Sequence, residues 1–235
     1  MTAIFKKELR SYFTSPVGYV CAAVLFALYG FYYYSVMLVG STYYIAAGVY
    51  SSMFIWSMMI LPILTMRSFS EEQKNKTDQA LLTAPVGTGS IVLGKFLASA
   101  AVYGIIMLGS LVPAVVLSFF SAPNWALISG TVFGSFLYGA AMLAIGIFIS
   151  SLTQSQIVAA IGTFGVSILL VIVDQFSGMA GNETAAKILN WLSFNSRYTP
   201  FTNGIFNFAS IVFFLSVAAV FLFLTARKLE SRRWN

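Results

Sequence analysis

The sequence predicts an all-α integral membrane protein with six transmembrane helices in a single domain, residues 1–235. Hydrophobic residues make up 59% of the chain and charged residues only 9%, and the mean hydropathy is +0.86. Soluble domains carry about 25% charged residues, so this chain has too little polar surface to enclose its apolar residues in water. In addition, residues 17–66 and 96–173 contain no charged side chain, and a charged island separates these two stretches.

Residues 1–15 are predicted to form an amphipathic helix that lies on the membrane surface. Apolar residues share one helical face and basic residues fall off it; the apolar set is Ile4, Phe5, Leu9, Tyr12 and Phe13, and the basic set is Lys6, Lys7 and Arg10. The step from Ser15 to Pro16 ends this helix. A signal peptide is the alternative, but the apolar run that follows exceeds the usual length of about 7–15 residues.

Six apolar stretches follow, each close to the length of about 20 residues that a helix needs to cross a bilayer. They are Val17–Val39, Tyr44–Met66, Ser90–Phe120, Trp125–Ser150, Ile157–Val173 and Gly204–Ala226. The third stretch contains Pro113, which predicts a kink or a break. The links 40–42 and 121–124 are short, so we expect helices one and two, and helices three and four, to form hairpins.

The basic residues predict the orientation of these spans. With the N-terminus inside, the inner segments hold 11 of the 13 Lys and Arg residues, and the outer segments hold only Lys187 and Arg197. Because Lys and Arg accumulate in loops that stay in the cytoplasm, we expect both termini to be cytoplasmic, with residues 227–235 as a cytoplasmic tail. The same rule accounts for the net charge of +6, so no nucleic-acid partner is expected.

The charged island, residues 67–95, is predicted to hold a cytoplasmic helix between helices two and three, from about Glu71 to Thr83. Two overlapping patterns, Ser68-x-x-Glu71 and Ser70-x-x-Gln73, match the capping box at a helix start, and Pro85 ends the helix. Acidic residues in its first turn suit the helix dipole. Two interpretations stay open: a helix that docks against another subunit, and a solvated helix without a partner.

The outer segment, residues 174–203, is predicted to form a re-entrant or surface helix between helices five and six. It mixes polar residues with apolar residues that suggest a short amphipathic helix, namely Ala185, Ile188, Leu189, Trp191, Leu192 and Phe194. Along the fourth span, small residues recur at Gly130, Gly134, Gly139 and Gly146. Such residues let helices approach closely, which predicts packing within the chain or, alternatively, a subunit interface.

The sequence predicts no catalytic, metal or cofactor site. Residues 89–96 nearly match the phosphate-binding loop G-x-x-x-x-G-K-[ST], but Phe96 lacks the hydroxyl that would hold magnesium, and no strand precedes the loop. The chain has no His and one Cys, which argues against a transition-metal site. Charged side chains lie only at the ends of the predicted spans, at Arg67, Lys95 and Asp174, which disfavours a proton-coupled carrier.

Three stretches make the sequence similar to ABC transporter permeases of type 2 and, among them, to the gliding-motility-type branch. They are IFKKELRSYFTSPVGYV near the start, LPILTMRSFSEEQKNKTDQALLTAPV with the following IVLGKF, and SFNSRYTPFTNGIFNF with the terminal LTARKLESRRW. Together with the six spans, the resemblance covers nearly the whole chain.

The resemblance implies a half-transporter that is not itself an enzyme. ATP and Mg would be bound by a separate cytoplasmic ABC ATPase, present in two copies, and the chain would pair with a second permease, identical or homologous. Residues 1–15 would be the elbow helix and 176–203 the outer re-entrant segment. A coupling helix at about 71–84 would lie in the coupling loop 67–90, and the residues expected to couple to the ATPase are Ser70, Glu71, Glu72, Gln73, Lys74, Thr77, Asp78, Leu81 and Leu82.

Helices two and five border the substrate route in that family. Their polar positions here are the candidate path residues Ser51, Ser52, Ser57, Thr65, Thr163 and Ser167. The implied function is export of an unidentified substrate by ATP-driven alternating access in a bacterial or archaeal cytoplasmic membrane. Membrane lipid and an accessory extracytoplasmic protein would be further partners. The alternatives are a membrane scaffold that recruits a cytoplasmic ATPase without moving a solute, and a secondary carrier, which the uncharged spans disfavour.

Overall fold

The computed structural model describes residues 1–38, 45–79, 86–120, 122–177 and 190–234. Within these ranges the chain is helical and contains no strand. The helices are α1 (Thr2–Thr14), α2 (Pro16–Leu38), α3 (Ile45–Thr65), α4 (Ser70–Lys74), α5 (Thr88–Gly109), α6 (Val112–Ser118), α7 (Trp125–Leu152), α8 (Gln156–Ser177), α9 (Phe194–Thr202) and α10 (Phe208–Trp234).

The predicted all-α fold with six membrane spans is confirmed. Six segments of the described chain are long and apolar enough to cross a bilayer: α2, α3, α5 with α6, α7, α8 and α10. The break predicted at Pro113 lies between α5 and α6, and Pro113 occupies the first turn of α6, where its missing N–H leaves no helical hydrogen bond unmade.

The sixth span differs from its predicted bounds. Gly204 has a φ of 76°, a left-handed conformation that glycine adopts readily, so the chain turns there and α10 begins only at Phe208. At its other end α10 runs through Trp234, so the segment predicted as a cytoplasmic tail continues the helix.

Helix α7 is the centre of the bundle and contacts α3, α5, α8, α9 and α10. Its glycines permit this packing. A Cβ added at Gly134 would lie 2.6 Å from Cγ of Phe201, and one added at Gly139 would overlap the ring of Tyr103. The small-residue pattern of the fourth span therefore serves packing within the chain, one of its two predicted roles.

Helix α9 lies in the outer segment and begins at the end of the stretch from Ala185 to Phe194 that predicted an amphipathic helix. Its Tyr198 ring stacks on Phe54 of α3, with ring centroids 5.2 Å apart, and its hydroxyl lies 2.9 Å from Ser135 Oγ of α7. Of the apolar residues that predicted the amphipathic helix, Ala185, Ile188 and Leu189 lie outside the described residues.

Candidate functional site

The helix predicted over residues 71–83 is broken in the structure. Helix α4 covers only Ser70–Lys74, a turn follows at residues 75–77, and helical conformation resumes at Asp78. Lys76 has a φ of 55°, a left-handed conformation that does not continue a right-handed helix. Residues 80–85, which include Leu81, Leu82 and the predicted stop at Pro85, lie outside the described residues.

Neither predicted capping box forms at the start of α4. The N-cap position is Phe69, and no side chain caps it from within the segment. Instead, the N–H groups of Phe69 and Ser70 donate to Ser150 Oγ at 3.1 and 3.2 Å, and Ser150 donates in turn to the carbonyl oxygen of Met66 at 3.0 Å. The hydroxyl of Ser70 also donates to the Met66 carbonyl. The N–H groups at the start of α4 therefore find their hydrogen-bond acceptor at the end of α7. The spacing of residues around α4 in the sequence could not reveal this contact.

A second hydrogen bond and an apolar contact fix α4 to the same region. Gln73 is buried, and its Nε2 donates to the carbonyl oxygen of Ser151 at 3.0 Å. The ring of Phe69 is buried in a small apolar cluster with Ile91 of α5 and Ile147 of α7. Helix α4 is therefore held to the bundle through the ends of α5 and α7 rather than lying free in solvent.

A set of charged side chains, which we call the ion cluster, joins α4 to α1 and α5. It consists of three cations and three carboxylates: Lys7, Arg67, Lys95, Glu8, Glu71 and Glu72. The formal charges cancel, which is the condition under which ionised groups can be buried at tolerable cost.

Lys95 of α5 is the buried centre of the ion cluster and is only 2% exposed. Its Nζ lies 2.8 Å from Glu8 Oε1 and donates to the carbonyl oxygen of Ser68 at 2.7 Å. Glu72 Oε2 lies 3.0 Å from the same Nζ, in a charge contact whose angles are not those of a hydrogen bond. The side chains of Glu8 and Glu72 are each 13% exposed. One ammonium group therefore links α1, α4 and the turn before α4.

Arg67 is the cation of the ion cluster that contacts the end of α1. Its guanidinium group donates to the hydroxyls of Ser11, at 2.6 Å, and of Ser15. It also lies 3.6 Å from Glu71 Oε2 and above the ring of Tyr12, 5.7 Å from the ring centre. These contacts bind the turn between α3 and α4 to the last turn of α1.

Tyr12 joins α1 to the end of α3 by a buried hydrogen bond. It is buried, and its hydroxyl donates to the carbonyl oxygen of Leu64 at 3.0 Å. Burial raises the pKa of Tyr12 to about 12, and the nearby carboxylate of Glu8 acts in the same direction. The phenol therefore stays protonated and remains a hydrogen-bond donor at neutral pH.

The predicted coupling residues differ in their exposure to solvent. Ser70 and Gln73 are buried, Glu72 is nearly buried, and Glu71 and Asp78 are partly exposed. The exposed members are Lys74 and Thr77. Together with Asn75 and Lys76 they form a continuous surface, residues 74–77, which we call the exposed turn. A polar cleft of about 180 Å³ between α1 and α4 is lined by the ion cluster and by two residues of this turn, Asn75 and Thr77.

Most of the candidate path residues lie inside the chain. Ser57, Thr65, Thr163 and Ser167 are buried, and the last of these donates to the carbonyl oxygen of Met58 at 2.9 Å, which links α8 to α3. Thr65 and Thr163 donate to carbonyls of their own helices. By contrast, Ser51 is exposed on α3, and Ser52 is partly exposed and donates to the carbonyl of Gly48.

Sequence reasoning missed three residues that organise this site: Glu8, Lys95 and Ser150. In the sequence, Lys95 marks only the end of a predicted span and a position in the incomplete phosphate-loop pattern. The signal that could have singled it out is its position, because it lies about two helical turns inside α5, which begins at Thr88. A lysine at that depth needs a carboxylate partner. Among the residues that the structure describes, no three His, Cys, Asp or Glu side chains meet as a metal site.

The comparison with known families is consistent with this architecture over almost the full length. A family model described as "ABC-2 family transporter protein" matches residues 2–232. No curated protein sequence gives a significant match.

Proposed function

This chain belongs to the ABC-2 transporter family, and we propose that α4 and the exposed turn are the part of it on which an ABC ATPase acts. The chain is a multi-pass membrane protein, the transmembrane permease subunit of an ABC transporter, and subunits of this family work with an ABC ATPase partner. Such subunits are generally not catalytic themselves.

The attachment of α4 supports this role. The exposed turn, residues 74–77, presents Lys74, Asn75, Lys76 and Thr77 to solvent. The chain just before it, residues 68–73, is tied to α5 through Lys95 and to α7 through Ser150, and Lys95 also pairs with Glu8 of α1. A surface that is free on one side and fixed to several helices on the other can pass a displacement into the bundle, because packed helices move as units rather than deforming.

We assign the buried and exposed coupling residues different parts in this scheme. Ser70, Glu72 and Gln73 hold α4 against the bundle, whereas Lys74, Thr77 and the partly exposed Glu71 and Asp78 face the ATPase. Leu81 and Leu82 stay predicted contacts. ATP and Mg would be bound by two copies of the ATPase, which would close on ATP binding and press on two permeases paired as identical or homologous subunits.

The distribution of basic residues supports a cytoplasmic position for this site. Lys74 and Lys76 on the exposed turn, and Lys6 and Arg10 on α1, lie on the same side of the bundle as the basic end of α10 if the six spans alternate. The excess of Lys and Arg on that side favours the cytoplasmic face of a bacterial or archaeal membrane. We further propose an exporter of the gliding-motility type, with Ser51 and Ser52 as the path residues that face away from the chain's own core.

Charge reversal on the exposed turn tests the proposal. The variant Lys74→Glu/Lys76→Glu changes only exposed side chains, so the permease should fold and enter the membrane normally. When the permease is co-expressed with its candidate ABC ATPase, we expect the variant to retain at least tenfold less of that ATPase than wild type does. ATP-dependent transport in proteoliposomes should fall in parallel.

The matched control is Lys228→Glu/Arg233→Glu on the exposed end of α10, which should leave binding of the ATPase unchanged. Equal ATPase retention by both double variants would contradict the assignment of the exposed turn. Reconstituted wild-type complex that hydrolyses ATP without moving any lipid, peptide or drug tested would favour the scaffold alternative instead.

A further inference from the structure

A long apolar groove runs along the outside of the bundle, between α1, α5 and α7. Its volume is about 850 Å³. Its walls include large apolar side chains that remain exposed, among them Ile105, Leu108, Trp125 and Phe133. The groove runs from Leu97 of α5 to Leu111, two residues beyond the end of that helix, a length of about 21 Å at 1.5 Å per residue. This exceeds the depth of one hydrocarbon leaflet, which is about 15 Å.

Small residues make the floor of this groove. Ala100, Ala101 and Gly104 follow one another along α5 and leave room between the larger side chains on either side. A Cβ added at Gly104 would lie 3.4 Å from the Phe136 ring, so the space above this glycine is bounded by an aromatic wall of α7. The shape is that of a channel for a flexible hydrocarbon chain rather than a flat helix surface.

One end of the groove is formed by the first turns of α1. Thr2 and Phe5 line it, and the backbone of Met1 and the side chain of Ile4 pack directly on Gly94 of α5. Lys6 lies four residues after Thr2 and therefore on the same face of α1, one turn further along. Arg10 lies one turn beyond Lys6.

The two cations at this end differ from the other basic residues of α1 and α5. Lys6 and Arg10 are exposed, and neither forms an ion pair with any residue in the described ranges. Lys7, by contrast, pairs with Glu72 at 3.2 Å. The helix that forms this end of the groove therefore carries two cations that have no ion-pair partner among the described residues.

We propose that this groove binds a phospholipid with a net negative headgroup, from the leaflet in which α1 lies. One acyl chain would occupy the channel above Gly104, and the phosphate would lie against Lys6 with Arg10 one turn away. The apolar lining selects hydrocarbon, and the free cations select the charge of the headgroup. This site is separate from α4 and the exposed turn, and it does not depend on the transport role proposed above.

Lipid retention by the purified full-length protein tests the site. The protein would be reconstituted in nanodiscs that contain phosphatidylglycerol and phosphatidylcholine with identical acyl chains, then released and analysed by native mass spectrometry. We expect wild-type protein to retain phosphatidylglycerol in preference to phosphatidylcholine. Lys6→Gln should reduce this preference about fivefold, the effect of about one basic residue at a membrane surface, without reducing total lipid retained.

Two variants fill the channel without altering charge. Gly104→Leu and Ala101→Leu should each abolish the retained lipid, and the second guards against misfolding of the first. The matched control is Gly30→Leu on α2, where an added Cβ meets nothing within 4 Å. Retention by both filled variants at the level of Gly30→Leu would overturn the proposal, as would equal retention of the two lipids by wild type. So would loss of a dimer, with lipid unchanged, in the filled variants, because a second copy would then cover the groove.

Discussion

Removing the ammonium group of Lys95 is the most direct perturbation of the ion cluster. In Lys95→Met a side chain of similar length stays, but Glu8 and Glu72 lose their shared cation, and the Ser68 carbonyl loses a hydrogen bond of 2.7 Å. Breaking a buried ion pair by removing one partner costs about 3–5 kcal/mol. Because both carboxylates keep 13% exposure and Lys7 still faces Glu72, we expect the lower end, about 3 kcal/mol.

The assay is the free energy of unfolding in mixed micelles, followed by helical circular dichroism during SDS titration. A double-mutant cycle with Glu8→Gln isolates the pair, and we expect a coupling energy of about 1–3 kcal/mol. Lys228→Met, at an exposed position of α10, is the control and should change stability by less than about 0.5 kcal/mol. A Lys95→Met protein within about 1 kcal/mol of wild type, or a cycle without coupling to Glu8, would refute the role given to this lysine.

Three further substitutions test separate contacts by the same unfolding assay. Ser150→Ala leaves the buried N–H groups of Phe69 and Ser70 without their acceptor, which should cost about 2–3 kcal/mol; an effect below about 0.5 kcal/mol would contradict the cap. Gly139→Ala forces a methyl group into the ring of Tyr103 and should cost about 1–3 kcal/mol, whereas Gly30→Ala, with open space around it, should not destabilise. Tyr12→Phe removes the buried hydrogen bond to Leu64 and should cost about 1 kcal/mol, with no dependence on pH between 6 and 9 because the raised pKa keeps the phenol protonated.

The membrane spans were predictable because their signal is local. A run of about 20 apolar residues identifies a transmembrane helix without reference to the rest of the chain, and Pro113 marked the break between α5 and α6 for an equally local reason. The predicted start of the sixth span was wrong because it depends on the backbone conformation of a single residue. Gly204 has a φ of 76°, and α10 begins only at Phe208.

The site was less predictable because its contacts join distant residues. Lys95 and Glu8 are 87 residues apart, and Ser70 and Ser150 are 80 apart. Two sequence patterns at the start of α4 matched a capping box, yet the acceptor for its N–H groups came from α7. A capping box supplies acceptors for unpaired N–H groups from neighbouring residues of the sequence. It does not form where the fold brings a hydroxyl of another helix within hydrogen-bond distance of those groups.

The contacts of α4 also bear on which helices would move with it. α4 follows α3 in sequence through only four residues, 66–69, which invites the expectation that α3 receives its motion. The buried contacts instead run to Lys95 of α5 and Ser150 of α7, and α7 is the helix that contacts α3, α5, α8, α9 and α10. Under the proposed function, a displacement of the exposed turn therefore reaches the centre of the bundle directly, and α3 follows through its packing on α7.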